Sequence, residues 1–206
     1  TVGRVSRSGV WPVSWSMDTV GPMTKTVEDA AMVLSAIAGS DSSDPLTANI
    51  KTPDYSRALD DDIKGIKIGV ISELFDKSFT NSEVYSSIEK AIDGFKNLGA
   101  EITGVSLPMI EEAGPVIESI SSSNGAYVYR NYLKDRPQEL GTTLRRRLLT
   151  GCLIPNFVIE KAMRFRFILR RKFKKLFEDF DVLISPTTQE PAKKISEVRV
   201  GDIETR

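Results

Sequence analysis

The chain has 206 residues, 40% of them apolar and 27% charged, a balance that is typical of a globular protein with its own core. The 28 basic and 28 acidic residues cancel, so no global field gathers nucleic acid or an anionic membrane. The lack of histidine excludes Ser-His-Asp and Cys-His catalysis and histidine metal sites within the chain, and a single cysteine, Cys152, excludes an internal disulfide.

The first 26 residues predict a shaped coil. Glycines that allow a positive φ or a close backbone approach alternate with prolines that fix φ, and these are Gly3, Gly9, Gly21, Pro12 and Pro22. Trp11 and Trp15 each need an apolar wall that this segment does not contain. The coil is therefore expected to pack against a larger element.

A helix from about Val27 to Ala38 follows the coil. Thr26 and Asp29 have the spacing of a capping box, the apolar positions follow a 3.6-residue period, and Gly39 ends the helix. Residues 40–62 are rich in Asp, Ser and Pro and are predicted to form a surface loop.

The clearest α/β unit lies at residues 65–107. An apolar strand, Ile66–Ile71, contains Gly69, which suggests close approach of another element. A helix capped by Asn81 or Ser82 and ended by Gly99 comes next, and then a second strand over 101–107. A strand, a helix and a strand of these lengths predict parallel pairing.

Residues 109–180 are predicted to be helix-rich, with breaks at Pro115, Gly125, Pro137 and Gly141. Three consecutive arginines within 144–149 favour a solvated helix face over a binding patch. Residues 156–180 predict a long amphipathic helix, whose apolar face consists of Ile159, Ala162, Phe165, Leu169, Phe173, Leu176, Phe177 and Phe180. Eight basic residues over 161–175 allow an RNA-binding interpretation, but the aromatic residues there have core spacing, so a solvated back face is preferred.

Arg166 is out of place on this helix because it projects into the apolar face, where an unpaired charge is costly. It is either a structural arginine, paired with a buried carboxylate or extended to the surface, or a ligand for a substrate carboxylate. A short strand over 181–184 leads into Thr187 and Thr188, which either contact a substrate or satisfy their own turn.

Several segments together carry a family resemblance. They are GRVSRSG (3–9), SMDTVGPM (16–23), TVEDAAMVLSAIAGSDSSD (26–44), GIKIGVI (65–71), LGAEI (98–102), LRRRLLTG (144–151) and FDVLISPTT (180–188). In order and approximate spacing, and over nearly the whole chain, this set resembles the amidase signature family. The resemblance implies an α/β fold in which a mixed, largely parallel sheet is surrounded by helices.

The resemblance also implies hydrolysis of an amide C–N bond by a serine, cis-serine, lysine triad. In the family the segment with both serines would precede Thr1, with the lysine further back, and the chain ends before the family's last strands. We therefore expect an internal to C-terminal portion of one amidase domain, with no catalytic residues and no activity alone. Within it, 1–39 would lie behind the active site, 65–107 form the strand-helix-strand unit, 109–180 the helical region and 181–188 the strand and Pro-Thr loop.

The resemblance gives candidate site residues as well. Glutamine-handling amidases have an arginine at the position of Arg166 that binds the substrate's α-carboxylate, and the family's Pro-Thr loop, here with Thr187, faces the cleft. Arg166 and Thr187 are therefore the candidates for substrate binding. Asp18, Gly21 and Pro22 are expected to shape the loop behind the nucleophile.

Two branches of the family differ at residues that this chain contains. The glutaminyl-tRNA amidotransferase A subunit has Asp-Gln before its Gly-Pro and a Gly-Tyr-Tyr segment before the long helix, whereas this chain has Asp18-Thr19 and residues 154–157, Ile-Pro-Asn-Phe. Both departures favour a general amidase for small-molecule or peptide-like amides. The amidotransferase A subunit is the alternative, and a non-catalytic binding or scaffold module is the alternative of another class.

The partners implied are an amide substrate, the rest of the amidase domain, and either a second copy of the chain or amidotransferase subunits. No cofactor and no metal are expected, nor is a membrane or nucleic-acid partner. No apolar run is long enough for a membrane span and no leader pattern begins at Thr1. A cytoplasmic location is expected.

Overall fold

The computed structural model describes residues 2–49, 51–59, 62–78 and 80–194. It combines a three-stranded parallel sheet, in the order β2-β1-β3, with α-helices. The strands are β1 (Lys67–Ile71), β2 (Glu101–Val105) and β3 (Val182–Ile184). The helices are α1 (Val27–Ile37), α2 (Ser82–Asn97), α3 (Ala113–Val128), α4 (Arg130–Asp135), α5 (Thr142–Leu153) and α6 (Asn156–Asp179). The α/β prediction is confirmed, and within the described ranges no helix is long and apolar enough to cross a membrane.

The central strand β1 is buried along most of its length. It pairs in parallel with β2, in the register Lys67 to Glu101, and with β3 on its other side. A Cβ added at Gly69 would lie 2.7 Å from the Leu183 side chain and 2.8 Å from that of Val105. Glycine at this position therefore lets neighbouring side chains cover the strand, as the close-approach prediction stated.

The helical layer has its core where α3 meets α5. Ile120 and Leu148 are only 1% and 2% exposed. Gly125 lies under Leu148, and Gly151 lies against the backbone of Ser122, so small residues on both helices allow a close approach. The predicted break at Gly125 is wrong, because α3 continues through it.

Helix α6 buries the predicted apolar face to a large extent, and Phe177, at 53% exposure, is the exception. The three-arginine stretch in α5 is only partly a solvated face. Arg147 reaches back to α3, where it forms an ion pair with Glu118 at 3.0 Å and donates to Ser121. Arg145 donates to the Pro137 carbonyl at 3.4 Å and is half-buried, so the solvated-face prediction is wrong for that side chain alone, whereas Arg146 and Arg147 are exposed.

The opening coil packs on α1 and on the loop after it. Val5 forms an antiparallel bridge with Ala38, and the Ala48 amide donates to the Gly3 carbonyl at 2.9 Å. Gly3 has a φ of +82°, in the region that favours glycine. Thr26 caps α1 by accepting from the Asp29 amide, as the sequence predicts.

The two tryptophans of the coil are covered on one side only, with 59% of Trp11 and 60% of Trp15 exposed. Trp11 meets the rings of Tyr129 and Tyr132 at centroid distances of 6.1 and 6.2 Å. Its wall thus comes from the end of α3 and from α4, outside the coil, as the sequence indicates.

Candidate functional site

The site is built around a tight turn over residues 13–18 of the opening coil, named here the 13–18 turn. The amides of Met17 and Asp18 both donate to the Ser14 carbonyl at 2.9 Å. The Asp18 carboxylate in turn accepts from the Val13 amide at 2.8 Å and from the Ser14 amide at 3.0 Å. Ser14 is buried and donates through its hydroxyl to Asn124 of α3. Asp18 therefore fixes the shape of the turn, and Asn124 fixes it to the helical layer.

Arg7 holds the same turn from the other side. It donates to the Trp15 carbonyl at 2.6 Å and stacks over the Trp15 ring, 5.2 Å from its centroid. Its Nε and a terminal nitrogen contact the two oxygens of Asp44 at 3.1 and 3.2 Å, a two-pronged ion pair. The two side chains are only 9% and 4% exposed.

The charges of this pair stabilise each other. The side-chain hydrogen bond from Arg7 is the largest cause that holds the pKa of Asp44 well below its usual range, and the backbone amide of Arg7 adds to it. The same side-chain bond raises the pKa of Arg7. Arg7 is therefore neutralised within the chain and has no charge left for a ligand.

Arg166, in the middle of α6, contacts the 13–18 turn at Ser16, the residue after Trp15. Its two terminal nitrogens donate to the Ser16 hydroxyl at 2.8 Å and to the Ser16 carbonyl at 2.6 Å. The side chain is half-buried, and among the described residues no carboxylate lies within ion-pair distance of it. A guanidinium carries five N–H groups, so three remain available. The buried carboxylate partner considered from the sequence is absent from the described part of the chain.

A cavity of about 630 Å³ opens beside this guanidinium, and we name it the Arg166 cleft. The described residues that line it include two arginines and no acid; they are Val2, Ser16, Leu46, Met163, Arg166, Phe167 and Arg170. The chemistry of this lining, cationic and apolar, is complementary to that of an anionic ligand with an apolar part. No group of three or more acidic or cysteine side chains suited to a metal ion occurs in the described residues.

The structure brings only some of the predicted site residues together. Asp18 and Arg166 hold the same turn, whereas Thr187 is exposed beyond β3 and is not among the lining residues of the Arg166 cleft. Gly21 and Pro22 follow the turn, but Gly21 has no positive φ and a Cβ there would meet nothing within 4 Å. The prediction that glycine is needed at position 21 for its backbone freedom is therefore wrong.

Sequence reasoning missed Arg7, Ser16 and Asp44. All three lie in the segments that carry the family resemblance, which was the available signal. Asp44 lies in a stretch of Asp and Ser that reads as a surface loop, and its partner is 37 residues away. No local pattern separates a buried carboxylate from its exposed neighbours in such a stretch.

The comparison with known families agrees with this architecture. The family model described as Amidase matches residues 1–205. The chain therefore belongs to the amidase signature family, and the resemblance in its motifs is confirmed.

Two curated relatives show how far the likeness extends. The A subunit of glutamyl-tRNA(Gln) amidotransferase from Clostridium botulinum (strain Loch Maree / Type A3) is 36% identical over 96% of this chain and 45% of the relative. An amidase of Pseudomonas putida is also 36% identical, over 96% of this chain and 42% of the relative. The chain thus spans less than half the length of the curated relatives that it matches.

Solved structures give the same result for the fold. One, described as a vestigial protein complex that reveals the evolutionary origins of an s-triazine catabolic enzyme, has a TM-score of 0.85 and 31% identity over 95% of this chain and 42% of its own. The A subunit of glutamyl-tRNA(Gln) amidotransferase from Thermotoga maritima has a TM-score of 0.78 and 27% identity over 97% of this chain and 43% of its own. The described elements are therefore those of an amidase signature fold.

The variant Asp18→Ala tests the role of the turn. It removes the acceptor of two backbone amides, and we expect the free energy of unfolding to fall by about 1.5–3 kcal/mol, as for hydrogen bonds to a charged group. Thermal and denaturant unfolding measure the change, with Asp93→Ala, at an exposed ion pair on α2, as the matched control. In an active enzyme that contains this chain, activity should fall together with stability. Normal stability with lost catalysis would instead give Asp18 a direct part in the reaction.

Proposed function

We propose that this chain forms the back wall of an amide-hydrolysing site, and that the serine, cis-serine and lysine of the reaction belong to residues outside these 206. Membership of the amidase signature family supports amide hydrolysis. One observation supports the location of these three residues outside the chain. Over the described residues up to 193, no lysine amine forms a hydrogen bond with a serine hydroxyl. The protein that joins this chain to those residues is called the parent enzyme below.

The observation that carries the proposal is the half-buried Arg166, which has no counter-ion among the described residues and lies beside a cleft whose described lining has no acid. Burial of a cation without a carboxylate is costly unless a ligand supplies the negative charge. The remaining N–H groups of Arg166 can hold a carboxylate through two parallel hydrogen bonds. The substrate would then be an amide with a carboxylate, which Arg166 orients in the cleft.

The chemistry would be acyl transfer. The serine attacks the amide carbonyl, and the cis-serine relays the proton of the attacking hydroxyl to an unprotonated lysine. The leaving amine takes up that proton, and water then hydrolyses the acyl-enzyme to release the acid. This chain would orient the substrate through Arg166 and would hold the wall in place through Asp18, with Gly21 and Pro22 beyond the turn. Thr187 is the proposed contact from the Pro-Thr loop. Fixing the substrate in one orientation lowers the entropic part of the barrier.

The amidotransferase A subunit is the second candidate, since the Clostridium botulinum relative of that name is 36% identical, the same identity as that of the Pseudomonas putida amidase. In that role the carboxylate at Arg166 would be that of glutamine, and partner subunits would be needed. Thr19 and the Ile-Pro-Asn-Phe segment at 154–157 support the general amidase instead. Turnover of simple amides by the parent enzyme alone separates the two candidates.

The test of the proposal is Arg166→Lys in the parent enzyme. Lysine keeps the charge but loses the planar, two-pronged geometry, so the KM for an amide with a carboxylate should rise about tenfold. A neutral amide of the same length should be hydrolysed nearly as before. Arg164→Lys, at an exposed position of α6 outside the cleft, is the matched control.

Three outcomes would count against this assignment. Equal losses on both substrates, with a lower melting temperature, would leave Arg166 as a structural residue that holds Ser16. An unchanged KM for the acidic amide would remove it from the binding site. If the unmodified parent enzyme hydrolyses neither amide, the amidase function itself fails.

A further inference from the structure

We propose that Arg170 is a second anion-binding residue of the Arg166 cleft, which would therefore select amides with two carboxylates. The inference rests on the proposed function, since it extends the substrate class of the same site. Arg170 lies four positions along α6 from Arg166.

The placement of Arg170 puts it on the same wall as Arg166. Residues four apart on a helix lie one above the other, with their Cβ atoms about 6 Å apart. Both arginines line the Arg166 cleft. Arg166 is held in one orientation by Ser16, whereas Arg170 is exposed and makes no hydrogen bond, ion pair or ring contact with the other described residues. Arg170 is therefore free to approach a ligand that Arg166 already holds.

The charges of this wall are unbalanced. Like charges four residues apart on a helix destabilise it. Residues 161–177 contain eight lysines and arginines and no acid. Arg7, by contrast, has a structural role and is neutralised by the Asp44 carboxylate at 3.1 Å. Two carboxylates on one ligand would neutralise both Arg166 and Arg170.

The shape of the cleft fits a short hydrocarbon chain between two acids. The rest of the described lining is apolar except for Ser16: Val2, Leu46, Met163 and Phe167. Between 41% and 62% of each of these four side chains is exposed, so they offer a surface on which methylene groups can pack. A volume of about 630 Å³ lies in the usual range for small-molecule sites.

Direct binding of simple acids tests the inference without relying on turnover. The probes are glutarate and pentanoate, two five-carbon acids that differ by one carboxylate, and calorimetry of the parent enzyme at low salt gives their dissociation constants. The unmodified protein should bind glutarate more tightly than pentanoate. Arg170→Gln should weaken glutarate binding about three- to fivefold, the upper part of the range for an exposed ion pair, and pentanoate binding less than twofold. Arg164→Gln, which removes an exposed charge outside the cleft, should change neither.

The outcomes separate the two proposals. If pentanoate binds through Arg166 but glutarate binds no better, the second site is wrong and the proposed function stands. If Arg164→Gln weakens glutarate as much as Arg170→Gln, the effect is the general charge of the helix, and the inference is overturned. The inference is also overturned if Arg166→Lys leaves the dissociation constant of glutarate unchanged, since glutarate then binds outside the Arg166 cleft. If glutarate binds as expected while no amide is hydrolysed, the anion site stands and the amidase proposal fails.

Discussion

Gly151→Ala is expected to lower the free energy of unfolding by about 3 kcal/mol or more, and the melting temperature by roughly 6–12 °C. A Cβ at this position of α5 would overlap the carbonyl group of Ser122 in α3, lying 2.5 Å from its carbonyl carbon. Backbone atoms cannot rotate away as a side chain can, so the two helices would have to separate. Their separation would open the core around Ile120 and Leu148.

A second glycine provides the control for this experiment. Gly94 lies inside α2, and a Cβ there would meet nothing within 4 Å. Gly94→Ala should stabilise the protein by about 0.5–1 kcal/mol, because alanine loses less backbone freedom than glycine in a helix. Thermal unfolding of both variants gives the comparison. A Gly151→Ala protein as stable as Gly94→Ala would show that α3 and α5 pack further apart than described.

Arg7→Met is the second substitution with a large expected effect. It removes the partner of a carboxylate that is only 4% exposed, and leaves the Trp15 carbonyl without its donor. Loss of one member of a buried ion pair is strongly destabilising, and we expect the melting temperature to fall by on the order of 10 °C. Arg57→Met is the matched control. Arg57 contacts Asp54 at 3.2 Å through its Nε, the nitrogen through which Arg7 contacts Asp44, but its side chain is 86% exposed. Its melting temperature should change by about 2 °C or less.

The difference in melting temperature between the unmodified chain and Arg7→Met depends on pH with a defined sign. The folded-state pKa of Asp44 is lowered, chiefly by the Arg7 hydrogen bond, so the stabilisation is complete above the unfolded value of about 4. The stabilisation is lost as the pH falls below the unfolded pKa of about 4 towards the lower folded pKa of Asp44. The gap in melting temperature between the unmodified chain and Arg7→Met should therefore be constant near pH 7 and narrow below about pH 4. A gap that stays constant down to pH 2 would mean that Arg7 stabilises the fold without this ion pair.

Local patterns predict the elements of this fold well. The Thr26 cap, the strands β1 and β2 and the apolar face of α6 all follow from spacing within a few residues. The predicted break at Pro115 is wrong because proline is tolerated in the first turn of a helix, where its missing amide has no partner. Helix α3 therefore starts two residues before it.

The site is less accessible to such reasoning. The unusual position of Arg166 in the apolar face is visible in the sequence, but its contact with Ser16 joins residues 150 apart. The ion pair of Arg7 with Asp44 spans 37 residues. Neither contact has a local signature, since many side chains of the same type in the same stretches face solvent. Family resemblance points to the segments involved but does not pair their residues.

The two sets of contacts on the 13–18 turn differ in how early they can form when the chain folds. The hydrogen bond from the Ser14 amide to the Asp18 carboxylate joins residues four positions apart. The bond from Arg7 to the Trp15 carbonyl joins residues eight positions apart, so both bonds close short loops. The bonds from Arg166 to Ser16 close a loop of 150 residues, which costs more chain entropy before any contact is gained. The turn can therefore take shape early, while the Arg166 cleft is completed only once α6 has docked. The candidate site is thus among the last parts of the described structure to form during folding.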